Sequence, residues 1–150
     1  MISAELTAAV DRLHAEGCSC VVSRDGRQRL FHERGVLDLY RLLREEPETL
    51  RGAVVADKVV GKAAAALLIL GGVRELYADV ASEPALALLR AAGTDVACGR
   101  SAERIVNRAG TGLCPLETRC LDLATPEACF ERIEAFVQEM SVRRTNDQTK

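Results

Sequence analysis

Residues 53–72 read AVVADKVVGKAAAALLILGG, and the reading of this stretch decides the fold. A short apolar strand over residues 53–56 meets Asp57, a residue type that caps helix N-termini through its side-chain oxygen. An apolar helix over residues 58–70 then runs to the stop at Gly71 and Gly72. Lys58 and Lys62, four residues apart, fall on one face of that expected helix, in its first turns. A helix N-terminus carries partial positive charge, so cations there cost about 0.3–1 kcal/mol. Their presence beside an otherwise buried helix predicts a site that receives an anion. Gly61 fits this expectation, because a residue without Cβ lets a ligand or neighbouring backbone approach closely.

Working outward, strands and helices alternate. Residues 74–80 (RELYADV) predict a strand, 83–92 a helix opened by Ser82 and Pro84, 94–98 (TDVAC) a strand, and 102–108 a short helix. Such alternation implies right-handed crossovers and parallel pairing. Upstream, Ser3 caps a helix over 4–15 with Leu6, Val10 and Leu13 as its apolar stripe and Gly17 as its stop. Asp25-Gly26 between residues 19–24 and 28–32 is a hairpin signal. Val36, Leu39, Tyr40, Leu42 and Leu43 make a helical face ahead of Pro47. A last helix opens at Thr125-Pro126-Glu127, with Phe130, Ile133, Phe136 and Val137 facing inward. The expected fold class is therefore α/β: a three-layer α/β/α domain whose mixed sheet joins an antiparallel hairpin to parallel strands. Residues 1–142 form one domain in this reading, and the polar residues 143–150 form a disordered tail.

Composition narrows the function classes. At 150 residues and 48% hydrophobic content the chain suffices for a core, which must be built from Ala, Leu and Val since aromatics are 3%. A net charge of −2 argues against a general nucleic-acid surface. No apolar run reaches membrane-spanning length, and the amphipathic, acid-containing N-terminus does not read as a signal peptide. A cytoplasmic location is expected. The six cysteines follow neither a disulfide framework nor a zinc spacing, since a single residue separates Cys18 from Cys20 and Cys114 and Cys120 are too widely separated. No metal and no cofactor are expected.

Gly61-Lys62-Ala63 is not a phosphate loop. Ala56 stands where a Walker loop needs its first glycine, and Ala63 where it needs the hydroxyl for magnesium. The irregular stretch from Ala109 to Arg119 offers another chemistry. Cys114 lies there beside glycines and Pro115, in the company of Asn107, Arg108 and Thr111. A thiol near cations or a helix N-terminus loses its proton more readily and becomes nucleophilic. His32, at a strand end, is a candidate to face the same cleft; His14, on an amphipathic helix, reads as a surface residue.

Three motifs, DKVVGKAAAALL, SEPALALLRAAGTDV and NRAGTGLCPLE, resemble the DUF1893 family of prokaryotic proteins, over about residues 5–138. The resemblance implies a cytidine deaminase-like fold. It does not imply deaminase chemistry, because function lives in sites rather than folds. A zinc deaminase carries His or Cys, Ala, Glu at one helix start and Pro-Cys-x-x-Cys at the next. The corresponding positions are HERGV (His32 to Val36) and ADKVV (Ala56 to Val60). What carries over is position: Asp57, Lys58 and Lys62 fall where deaminases keep their pocket. The expectation is a pocket for an anionic, nucleotide-like small molecule at the start of helix 58–70. Asp57, Lys58, Gly61, Lys62, Asn107, Arg108 and Thr111 would bind, and Cys114 would be the nucleophile if a reaction occurs. The alternative is a non-catalytic binding domain or homo-oligomeric scaffold with a vestigial pocket.

Overall fold

The computed structural model describes residues 2–32, 36–105 and 115–148, the last seven of these by backbone alone. Helix α1 (Ala4–Glu16) starts at Ser3, whose Oγ accepts the Leu6 N–H, and ends at Gly17 with φ of 65°. Strands β1 (Cys20–Arg24) and β2 (Arg27–Phe31) form the expected hairpin. Its two-residue turn places both Asp25 (φ 53°) and Gly26 (φ 77°) in the left-handed region, the geometry that matches the twist of paired strands. Helices α2 (Leu37–Glu45) and α3 (Pro47–Leu50) follow, then β3 (Val54–Val60), α4 (Lys62–Leu70), β4 (Glu75–Ser82), α5 (Glu83–Ala91) and β5 (Asp95–Ala102). Helices α6 (Pro115–Cys120) and α7 (Pro126–Gln148) complete the described chain.

The five strands make one mixed sheet in the order β2-β1-β3-β4-β5. The hairpin and the β1–β3 pair are antiparallel, whereas β3–β4 and β4–β5 are parallel. Helix α1 covers one face, where Ala9, Leu13, Cys18, Val21 and Ala56 pack together. The other face carries the larger core, built from Val22, Val55, Leu76 and Ala78 of the sheet against Leu39, Leu42, Leu67, Leu68, Leu89 and Ile133 of the helices. Residues Lys62 to Leu68 of α4 are buried on every side. Tyr40 of α2 stacks on Phe130 of α7 and donates to Glu134 Oε2 at 3.1 Å, tying the outer helices together.

Several boundaries differ from the sequence reading. Strand β3 does not stop at residue 56; it runs through Asp57 to Val60, pairing in parallel as far as Val60 with Ala81. Two β-branched residues, Val59 and Val60, prolong the pleated conformation past the aspartate. Asp57 therefore caps no helix, and α4 begins at Lys62 with Gly61 as its cap. Strand β5 likewise reaches Ala102, and residues 103–105 are not helical, where a helix over 102–108 was expected. Part of the stretch expected to be irregular is helix α6, and α7 continues to Gln148 through residues expected to form a tail.

Candidate functional site

Side chains alternate across a strand, so the extension of β3 separates the residues that were expected to act together. Lys58 is exposed, and its Nζ reaches the carbonyl of Gly17 at 3.3 Å, on the α1 side of the sheet. Asp57 points to the opposite side and is buried, with 9% of its surface exposed. The two lysines thus share no helix face.

Lys62 is buried, and its partners lie within the chain. Its Nζ donates to the carbonyls of Leu121, at 3.1 Å, and Leu123, both in the turn between α6 and α7. Its backbone N–H donates to Glu117 Oε2 at 2.6 Å. The positive end of α4 thus receives its negative partner from α6, fifty-five residues later in the chain. Gly61 makes room for that contact: a Cβ at this position would collide with Glu117 Oε2 and come within 3.3 Å of Ile105 Cγ1. The close approach at Gly61 is made by the Glu117 carboxyl group of α6, where a ligand or neighbouring backbone was expected. Glu117 is 1% exposed, and its second oxygen, Oε1, is buried without a hydrogen-bond partner among the described residues.

A second group of side chains lies one turn of chain earlier. Asp57 of β3 stands directly across from Cys20 of β1 in the antiparallel register. Burial pushes the Asp57 carboxyl up to about 7; the backbone N–H groups of Val59 and Lys58 and the Cys20 thiol oppose that rise, and Asp79 adds to it. The Val59 N–H donates to Asp57 Oδ1 at 3.3 Å. Burial, then the charges of Asp57 and Asp38, pushes the Cys20 thiol well up, so it keeps its proton. Val59, two residues along β3, is the one exposed large hydrophobic side chain among the described residues, at 47%. A carboxyl group that changes charge near neutrality can accept or return a proton under ordinary conditions. Sequence reading named Asp57 but took it for a helix cap, and missed Cys20 and Glu117, whose partners are distant in the chain.

On the α1 side, His14 Nε2 lies 2.7 Å from Asp79 Oδ1, which also accepts the Tyr77 hydroxyl at 2.9 Å. His14, expected on the surface, is half-exposed and fastens α1 to β4. Asn107, Arg108, Thr111 and Cys114 lie outside the described residues, as do Glu33, Arg34 and Gly35 of the HERGV segment. Among the described residues no three His, Cys, Asp or Glu side chains are placed to share a metal ion. The described cysteines, Cys18, Cys20, Cys98, Cys120 and Cys129, are free thiols. No helix among the described residues is long and apolar enough to cross a membrane.

A five-stranded mixed sheet with α1 on one face, the remaining helices on the other and a helix start closed from within defines this as a single-sheet α/β domain. Residues 8–137 match the family described as a domain of unknown function, DUF1893, and the chain belongs to that family. Its fold is similar to the crystal structure of a DUF1893 family protein from Thermotoga maritima, with a TM-score of 0.82 at 25% identity over 90% of this chain and 92% of that one. A more distant likeness, with a TM-score of 0.43 at 16% identity, runs to a diaminohydroxyphosphoribosylaminopyrimidine deaminase/5-amino-6-(5-phosphoribosylamino)uracil reductase, also from Thermotoga maritima. It takes in 77% of this chain and 40% of that one. No curated protein matches the chain.

Proposed function

We propose that this domain binds a small polar, nucleotide-like molecule at the carboxyl end of β3, with Asp57 as the group that holds or moves a proton. The observation that carries the reading is the Asp57 carboxyl itself, buried across from Cys20 and poised at about 7 beside exposed Val59. In open sheets, ligands sit beyond the carboxyl ends of parallel strands, and β3 and β4 both end on this side. Strongly perturbed titrating groups concentrate at functional sites, which is a second support. The preferred partner of Asp57 is a ligand hydroxyl or amino group. An anionic group has less to meet, because the Lys62 ammonium is held by two carbonyls and Lys58 points to the other face. Cys114 remains the thiol proposed for any covalent step, with Asn107, Arg108 and Thr111 as its neighbours in sequence. Free thiols throughout the described chain suit a reducing, cytoplasmic setting.

The test is a thermal-shift screen of nucleosides, nucleotides and sugar phosphates against the full chain and against Asp57→Asn. A ligand at about 100 times its dissociation constant stabilises by roughly 2.7 kcal/mol. Loss of the shift in the folded Asp57→Asn variant supports the reading, and an equal shift in both proteins removes Asp57 from it. One observation favours the second reading, a non-catalytic or oligomeric scaffold: the Glu117–Lys62 contact closes the helix start from within. A screen without hits, together with a concentration-dependent dimer in sedimentation, would favour that alternative.

A further inference from the structure

The segment Arg24-Asp25-Gly26-Arg27-Gln28-Arg29 carries three arginines in six residues, in a chain whose net charge is −2. The hairpin register puts Arg24 directly across from Arg27, and Arg29 across from Val22. Alternation along each strand then places Arg24, Arg27, Arg29 and Val22 on the same face of the ribbon. Like charges directly opposite one another in a sheet are destabilising. Arg29 is relieved by Glu46, at 3.1 Å, and lies 3.5 Å from the Thr49 hydroxyl. The guanidinium groups of Arg24 and Arg27 have no hydrogen-bond or ion-pair partner among the described residues. Together with Val22, Asp25 and Thr49, the three arginines line an open cleft of about 510 Å³. That volume falls within the roughly 300–1,000 Å³ of small-molecule sites.

We infer that this cleft is an anion site for a phosphorylated small molecule, with Arg24 and Arg27 gripping the phosphoryl oxygens. Guanidinium groups match phosphate geometry with paired N–H donors, which an ammonium does not. The Thr49 hydroxyl and the Arg29 edge supply further donors, and Val22 forms an apolar floor. Asp25 is the single carboxyl in the lining; held in the turn at φ 53°, it favours a ligand that also presents a hydroxyl or amino donor beside its phosphate. A bound phosphoryl group would relieve the Arg24–Arg27 repulsion that the free protein carries. Arg24 and Arg27 lie at the far end of the ribbon from Cys20, about 13 Å along β1, and the floor residue Val22 stands about 7 Å from Cys20.

Titration calorimetry of the full chain with inorganic pyrophosphate and with adenosine diphosphate, at low ionic strength, tests this. A single-stranded oligonucleotide of mixed sequence is the third arm. Saturable binding of pyrophosphate or the diphosphate is expected, weakened about tenfold or more by Arg24→Gln or by Arg27→Gln. Asp57→Asn should leave that binding unchanged, which separates this site from the one proposed above. Ligand-free denaturation serves as the fold control: Arg27→Gln should be as stable as the parent or more so. Binding of neither small phosphate, binding of the oligonucleotide alone, or undiminished affinity in both arginine variants would overturn the inference.

Discussion

Glu117 Oε2 accepts the backbone N–H of Lys62 at 2.6 Å, so a carboxyl group from α6 closes the first turn of α4. The same lysine sends its side chain back to the turn that follows α6. Two residues therefore lash α4 to the α6–α7 connection in both directions.

Removing either end of this lashing should be costly. Glu117→Ala is expected to destabilise by about 2–3 kcal/mol, the range for a lost charge-assisted hydrogen bond at a buried cap. Lys62→Ala leaves the Leu121 and Leu123 carbonyls without a donor and should cost about as much. Urea unfolding of the two single variants and the double variant checks this; the double should lose less than the sum, since both singles break one connected structure.

Gly61→Ala should be more damaging than an ordinary exchange at a helix cap, by about 1–3 kcal/mol, because the new methyl meets Glu117 Oε2. Combined with Glu117→Ala, the added cost of Gly61→Ala should shrink to what the Ile105 Cγ1 contact at 3.3 Å leaves. If Gly61→Ala costs the same in both backgrounds, the steric account of this glycine is wrong.

Asp57 makes stability depend on pH. Its folded value of about 7 lies above the ordinary 3.8, so between these values the folded state holds a proton that the unfolded chain has released. Stability contributed by the protonated form is fully present below about 3.8 and declines as pH rises, until the loss is complete above about 7. Asp57→Asn, which stays neutral, should gain on the parent by up to a few kcal/mol from pH 4 to pH 8. Parallel denaturation curves across that range would refute the assignment.

The thiols should divide by burial. Cys18, Cys20, Cys120 and Cys129 are buried, and burial pushes the Cys120 thiol up to about 12 and the Cys20 thiol well up. Iodoacetamide at pH 7.5 followed by peptide mass spectrometry should leave these four unlabelled in the native protein. Fast labelling of Cys114 with a half-point below about 8 would support thiol chemistry, whereas ordinary behaviour near 8.5 would argue against it.

How much of this was legible in the sequence follows from the range of the forces involved. The Asp25-Gly26 turn was readable because its requirement, two residues tolerant of positive φ, is local. The order of strands and helices was readable because apolar periodicity is local too. The start of α4 was not. An aspartate before an apolar run looks like a cap, but pairing of Val59 and Val60 against β4 kept the chain extended for three more residues. Lys62 looked like an offered cation because the carbonyls that hold it lie about sixty residues away. Gly61 was read as room for a ligand or for backbone, and the three-dimensional structure names the Glu117 side chain as the visitor.

Helix α4 has no wet side. The sheet lies beneath it and α2, α5 and α7 surround it, and from Lys62 to Leu68 every residue is buried. Stripping such a rod of one wall exposes apolar surface to water. A chain ended before Pro126 would bare the flank that α7 covers, so misassembly of truncated forms, rather than partial folding, is the natural fate of this architecture.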